Sequence, residues 1–178
     1  MIIHSINDLS NIKVVNILKN GLKTVTDQNI ISNYHPDFES TPSNLFYILK
    51  KGRFKIGNYF VMEDNGEYAG SAGWNEYDDV ALLFTRAFIP NIYRRKYSMA
   101  SHLLPIMFEQ TQDYNKLWIT FNSYNYGIYR GFCRLHQGKS AGLFEPWPEI
   151  YKKFVPIGKK TVNYTEQYVV EYSKQLTK

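Results

Sequence analysis

Cysteine is nearly absent. Cys133 stands alone among 178 residues, which excludes an intrachain disulfide and removes zinc fingers and paired-thiol chemistry with it. A reducing, cytoplasmic setting is the expectation that follows. No apolar run approaches the roughly 18 residues of a spanning helix, and Met1-Ile-Ile-His-Ser-Ile-Asn-Asp8 lacks the basic start and apolar stretch of an export signal. We expect neither a membrane span nor secretion. The four histidines show no HxxxH spacing, so no metal site is expected. Repeats, low-complexity tracts and linkers are missing too, and the length suits one domain over residues 1–178.

What is present can build a core: 44% apolar residues against 21% charged place the chain among globular proteins. Lysine and arginine number 21 against 16 acids, a net charge of +5. That excess suits an anionic ligand or partner, and by itself it is too small to single out nucleic acid. The 15 tyrosines are spread along the chain rather than interleaved with a basic cluster, so base stacking is not their expected purpose.

Ser5-Ile-Asn-Asp8 reads as a capping box with Asp in place of Glu, and Leu9, Ile12, Val15, Leu18 and Leu22 recur at helical spacing, with Gly21 as the cap. Thr41-Pro42-Ser43 and Lys50-Lys51-Gly52 bound a second helix over residues 42–51. The period then changes. Asn65-Gly66, a turn pair that takes positive φ, joins Tyr59-Phe60-Val61-Met62 to a run ending at Trp74. A second turn over residues 76–79 leads into strand 80–89, so residues 59–89 form a meander. Met99, His102, Leu103, Ile106 and Met107 mark a helix over residues 98–110, bent or shortened by Pro105. Residues 116–121 read as a strand and 125–135 as a helix. After the irregular Pro146-Trp147-Pro148, residues 161–172 read as one long alternating strand.

This order is an α/β pattern with one parallel crossover, from strand 80–89 through the helix at 98–110 to strand 116–121. A ligand is expected where the crossover helix begins. There the chain reads Arg94-Arg95-Lys96-Tyr97-Ser98-Met99-Ala100, in which three cations meet the exposed amides and positive end of a helix and make a seat for phosphates. A solvated loop is the alternative reading of any such basic run.

The same residues resemble the GNAT superfamily of acyl-CoA-dependent N-acyltransferases. That family's main motif is Arg or Gln, two residues, Gly, one residue, then Gly or Ala, between a central strand and the following helix. Here Arg95 and Ala100 match, and Ser98 stands for the central glycine. Phe88-Ile89-Pro90 and Leu103-Leu104 fall where the family has apolar residues with proline and paired leucines, while the stretch from Pro90 to Arg95 is longer than the family's. Downstream, Phe121-Asn122-Ser123-Tyr124-Asn125 resembles the family's strand end Val-Asn-Pro-x-Asn, and Phe132 stands where the following helix has a tyrosine.

The resemblance covers the chain from its first helix to its last strand. It implies an α/β fold with a central mixed, mostly antiparallel sheet of about six to seven strands and helices on both faces. It further implies that backbone groups of Ala87, Phe88 and Ile89 line the pantetheine arm and help hold the thioester carbonyl. Arg94, Arg95, Lys96, Tyr97, Ser98, Met99 and Ala100 would hold the pyrophosphate, and Asn122 or Asn125 would fix the arm. The two asparagines read equally as a strand-end turn and a helix N-cap.

Phe132 has no proton to give the departing sulfur, but a thiol of pKa near 8.5 leaves as an anion without help. Tyr129 lies at i−3 from Phe132, either bringing its hydroxyl into the same space or packing with it toward water. Cys133 points roughly 100° away, with no base beside it in sequence. For the amine's proton no base stands out: Glu67, Glu76, Asp78, Asp79, His102 and His136 are the candidates, and water could serve.

Two functions follow. The first is an N-acyltransferase with acetyl-CoA as co-substrate and no metal. It acts on a small-molecule or peptide primary amine by direct attack, as a monomer or homodimer, with Tyr129 and Asn122 as the catalytic candidates. The alternative is a catalytically degenerate GNAT-like domain that binds CoA or another anionic ligand such as nucleic acid.

Overall fold

The Asn65-Gly66 turn organises the first half of the sheet, with φ of 51° and 85°, the left-handed pair that a two-residue hairpin requires. It joins β2 (Lys55–Asp64) to β3 (Glu67–Tyr77), and a turn at Asp78-Asp79 joins β3 to β4 (Val80–Phe88). These strands and the helices described below come from a computed structural model, which describes residues 1–5, 13, 16–17, 55–88, 99–142, 147–162 and 164–174. The expected helix over 42–51, most of the expected first helix, and the basic run 94–98 lie outside the described residues.

A strand the sequence reading did not contain, β1 (Ile2–Ser5), precedes the capping box and pairs with β2, from Ile2 opposite Glu63 to Ser5 opposite Phe60. After β4 come helix α1 (Met99–Gln110), β5 (Lys116–Phe121) and helix α2 (Tyr126–His136). Pro105 lies inside α1 on its exposed side, where water can satisfy the carbonyl that lacks a partner. The expected single strand over residues 161–172 is corrected to a hairpin, β6 (Val155–Val162) and β7 (Thr165–Ser173). Tyr164 makes that turn at φ 67°, and no glycine or proline marks it in the sequence.

The seven strands form one sheet in the order β1-β2-β3-β4-β5-β7-β6, antiparallel except for the β4–β5 pair. Leu103, Leu104 and Met107 of α1 and Phe132 of α2 share one apolar cluster with Ala81, Leu83, Leu117, Ile119, Phe121, Val170 and Tyr172. Both helices therefore cover the same face. The alternate residues of the central strands, Val80, Leu82 and Val169, join Val162 in a separate cluster on the opposite face. Lys13, in a helical stretch with Asn16 and Ile17, approaches from that opposite side, its Nζ 3.8 Å from Oε1 of Glu63. Among the described residues no helix is long and apolar enough to cross a membrane.

Glu63 is buried, and its Oε2 lies 2.6 Å from Nε2 of His4. The His4 hydrogen bond holds the carboxyl below its ordinary value of 4.5, against burial, which pushes it up; Lys13 adds to the lowering. A carboxyl with a depressed folded pKa contributes stability above its unfolded pKa and loses it as pH falls through the folded value. Glu63→Gln should therefore lower the thermal unfolding midpoint at neutral pH, and the gap to the wild type should close below about pH 4, as read by melting curves across pH.

Candidate functional site

The parallel ladder between β4 and β5 runs only from Val80 opposite Lys116 to Leu83 opposite Ile119. Both strands continue beyond it, β4 to Phe88 and β5 to Phe121, each still paired on its outer side. Two bulges drive β4 away: three steps from Leu82 to Thr85 match two from Asn75 to Gly73, and three from Thr85 to Phe88 match two from Gly73 to Ser71. An extra residue bends and twists a strand. Phe84, inside the first bulge, has φ 57°, a left-handed backbone that is uncommon for a bulky residue and marks local strain. The result is an opening between two strand ends whose inner backbone groups face each other without a ladder.

Ala87, exposed, and the backbone of Phe88 border the opening from β4, and Met99 and Ala100 begin α1. Ile89, Arg94, Arg95, Lys96, Tyr97 and Ser98 lie outside the described residues. Across the opening, Asn122 closes β5 as an N-cap: its Oδ1 accepts the Asn125 backbone N–H at 3.1 Å and fixes the helical turn Ser123–Asn125. Asn125 is exposed at the start of α2 and makes no side-chain capping bond.

Phe132 and Tyr129 share a face of α2 and are separated by their neighbours. Phe132 is 1% exposed and packs with ring centroids 5.8 Å from Phe121, 4.7 Å from Trp147 and 4.9 Å from Tyr151. Tyr129 is buried, and its hydroxyl accepts the backbone N–H of Gly158 at 3.2 Å. Gly158 adopts φ 82° at the bulge of β6, a conformation open to glycine at little cost. Burial, and then the neighbouring Cys133, push the Tyr129 phenol above its ordinary value, so it stays protonated. Its oxygen thus ties α2 to β6.

The carboxylates and histidines singled out from the sequence are scattered. Glu67, Asp78 and Asp79 are exposed at turns. Glu76 accepts the Tyr114 hydroxyl at 2.6 Å; burial, and then this hydrogen bond, push that phenol up to about 12. His136 Nε2 lies 2.6 Å from the Phe154 carbonyl oxygen, and His102 is half-buried in α1. Among the described residues no group of three metal-ligating side chains comes together. Sequence reasoning missed Glu63, whose partner His4 lies 59 positions away, and Phe84, whose backbone state no residue-type signal announces.

Tyr129→Phe leaves the Gly158 N–H without its partner, and Phe132→Tyr forces a hydroxyl among buried rings. Each should cost about 1–3 kcal/mol, seen as a lowered unfolding midpoint in denaturant at unchanged slope.

No protein-family model matches the sequence, and no curated protein is similar enough to match. Solved structures do match in shape. An N-acetyltransferase from Staphylococcus aureus Mu50 aligns over 97% of each chain at TM-score 0.54 and 16% identity. The ribosomal-protein-S18-alanine N-acetyltransferase from Escherichia coli aligns over 97% of this chain and 92% of its own, at TM-score 0.51 and 15% identity. The PaiA N-acetyltransferase from Thermoplasma acidophilum, solved in complex with coenzyme A, aligns over 97% and 99% at TM-score 0.50 and 13% identity. With its seven-stranded mixed sheet and single parallel pair, the chain has the fold of the GNAT N-acetyltransferases.

Proposed function

We propose that the protein is an acyl-CoA-dependent N-acyltransferase, moving an acetyl group from acetyl-CoA to a primary amine. The observation that carries this reading is the opening between β4 and β5, the two strands that the crossover helix α1 joins in the chain. Unpaired strand amides offer donors to an amide-rich arm and to a carbonyl that gains negative charge during attack. The start of α1 brings a positive helix end, and Arg94, Arg95 and Lys96 precede it in the chain, suited to pyrophosphate. Asn125, exposed at the far lip, is the asparagine with its amide uncommitted to a cap, and we assign it the pantetheine arm. Asn122 acts through the turn it caps.

The coenzyme supplies an activated thioester, and the protein has to orient it and exclude water. A thiolate leaves without a protein acid at an ordinary thiol pKa near 8.5, so a phenylalanine at position 132 is compatible with turnover. The resemblance to an N-acetyltransferase bound to coenzyme A supports the choice of cofactor.

Isothermal titration with acetyl-CoA tests the reading. The wild type should bind, and Arg95→Glu should weaken binding about tenfold to a hundredfold, the equivalent of the roughly 1.5–3 kcal/mol of a charge-assisted hydrogen bond. No binding at millimolar cofactor overturns the proposal. Submicromolar oligonucleotide binding that persists at about 150 mM salt would instead favour a degenerate, nucleic-acid-binding domain.

A further inference from the structure

The net charge of +5 is carried by one stretch of the chain. From Tyr126, the first residue of α2, to Val162, the last of β6, seven lysines and arginines stand against two glutamates, while the remaining residues hold 14 of each sign. α2 and β6 belong to the same end of the sheet: β6 is the edge strand beyond β7, and the Tyr129 hydroxyl bonds the one element to the other. The surplus is therefore gathered on the side of β5, β7 and β6, where it sets a positive local potential.

This charge meets the opening along a row of side chains. Phe121 ends β5 at the lip and pairs with Tyr168 of β7, and Tyr168 pairs with Lys159 of β6, so the three stand on one face across three strands. The Lys159 ammonium lies 5.4 Å from the centre of the Tyr168 ring, and the Tyr126 ring lies 4.9 Å from the same centre. Tyr126 is 43% exposed and Lys159 is exposed, so water reaches the row. Arg130, also exposed, follows Tyr126 by four residues and shares its side of the helix. Glu166 lies on the same side of the hairpin two residues nearer the turn, opposite Thr161, and is outnumbered by Arg130 and Lys159. With strands about 4.8 Å apart, Lys159 stands about 10 Å from the end of β5.

The cofactor has no use for this row: its phosphates were given Arg94, Arg95 and Lys96, and its arm Asn125. We propose that the row docks the acceptor, and that the acceptor is a polypeptide whose free amine is followed about three to five residues later by acidic side chains. This rests on the acyl-transfer reading above and names its substrate class. With the amine at the opening, an extended chain rising about 3.3 Å per residue comes level with Lys159 after about three residues. Its first side chains lie along Tyr168 and Tyr126, and its carboxylates meet Lys159 and Arg130. A small amine does not span that distance, and a polyamine or a basic peptide brings like charge to the same side chains. Exposed ion pairs are individually weak and screened by salt, so the preference acts on encounter and on KM, and it fades as salt rises.

The test is kcat and KM for acetyl transfer, at saturating acetyl-CoA, to three peptides of equal length that share a free amino terminus and first two residues and carry acidic, amide or basic side chains afterwards. The wild type should favour the acidic over the basic peptide by about threefold to tenfold in kcat/KM, through KM, and the ratio should shrink as ionic strength rises. Lys159→Glu and Arg130→Glu should each bring the ratio to about one or below, and either exposed site carries the comparison should the other variant fail to fold. Lys116→Glu, the same change of charge at the far end of β5, should keep it. An absent or inverted preference, or one that survives both reversals, overturns the docking row alone. Equal rates on the three peptides together with tight oligonucleotide binding that Lys159→Glu abolishes would assign the charge to nucleic acid instead. A wild type that binds acetyl-CoA by titration yet acetylates neither the peptides nor a simple diamine overturns the docking row and the acyl-transfer reading together.

Discussion

Beyond Leu83 and Ile119 two neighbouring strands stop sharing hydrogen bonds, because β4 carries more residues than β3 along the same length. A strand that must stay paired on one side while gaining residues can only bow, and here it bows away from its parallel partner. A sheet interior normally leaves no backbone group unpaired, so a gap at the centre of seven strands is expensive to maintain. The apolar packing on both sides maintains it. Leu82 and Leu83, each 2% exposed, anchor the last bonded stretch from opposite faces. The strained backbone of Phe84 follows immediately.

The two faces of the sheet carry different burdens. On the α1 and α2 side the interior is apolar and aromatic, from Leu103 through Phe132 to Tyr172. On the other side, around β1 to β3, hydroxyls and a carboxylate are buried and must be satisfied by one another. A buried polar group without a partner costs more than a bonded one contributes. The bonds of Ser71 to Tyr59 and Tyr68, and of Glu63 to His4, therefore fix rotamers as well as energies. A sheet face built this way specifies one arrangement more strictly than an oily face of the same area.

Elements with a local signal were legible in the sequence. Asn65-Gly66 announces its hairpin through φ, and the apolar alternation of residues 116–121 marks β5 to its ends. The seven-stranded mixed sheet agrees with the expectation drawn from the family resemblance. Elements whose signal is non-local were missed. β1 has four residues, two of them His4 and Ser5, and exists because β2 offers an edge. The turn between β6 and β7 interrupts a continuous β-prone run at Tyr164, where period-2 counting sees no break. The strand ends and the turn capped by Asn122 could be placed from sequence, whereas the buried polar side chains on the other face of the sheet could not. Glu63, Tyr68 and Ser71 look ordinary until a one-residue bulge turns them to the same side.

The packing of Phe132 carries an evolutionary consequence. Its ring is enclosed by Phe121, Trp147 and Tyr151, three residues drawn from a strand end, a loop and a short helical turn. A single codon change at position 132 can supply a phenol oxygen but cannot supply the room for it. Placing a polar group at this point in the fold requires concerted change in several distant segments, so the ring at position 132 is tied to the residues that enclose it and they change together.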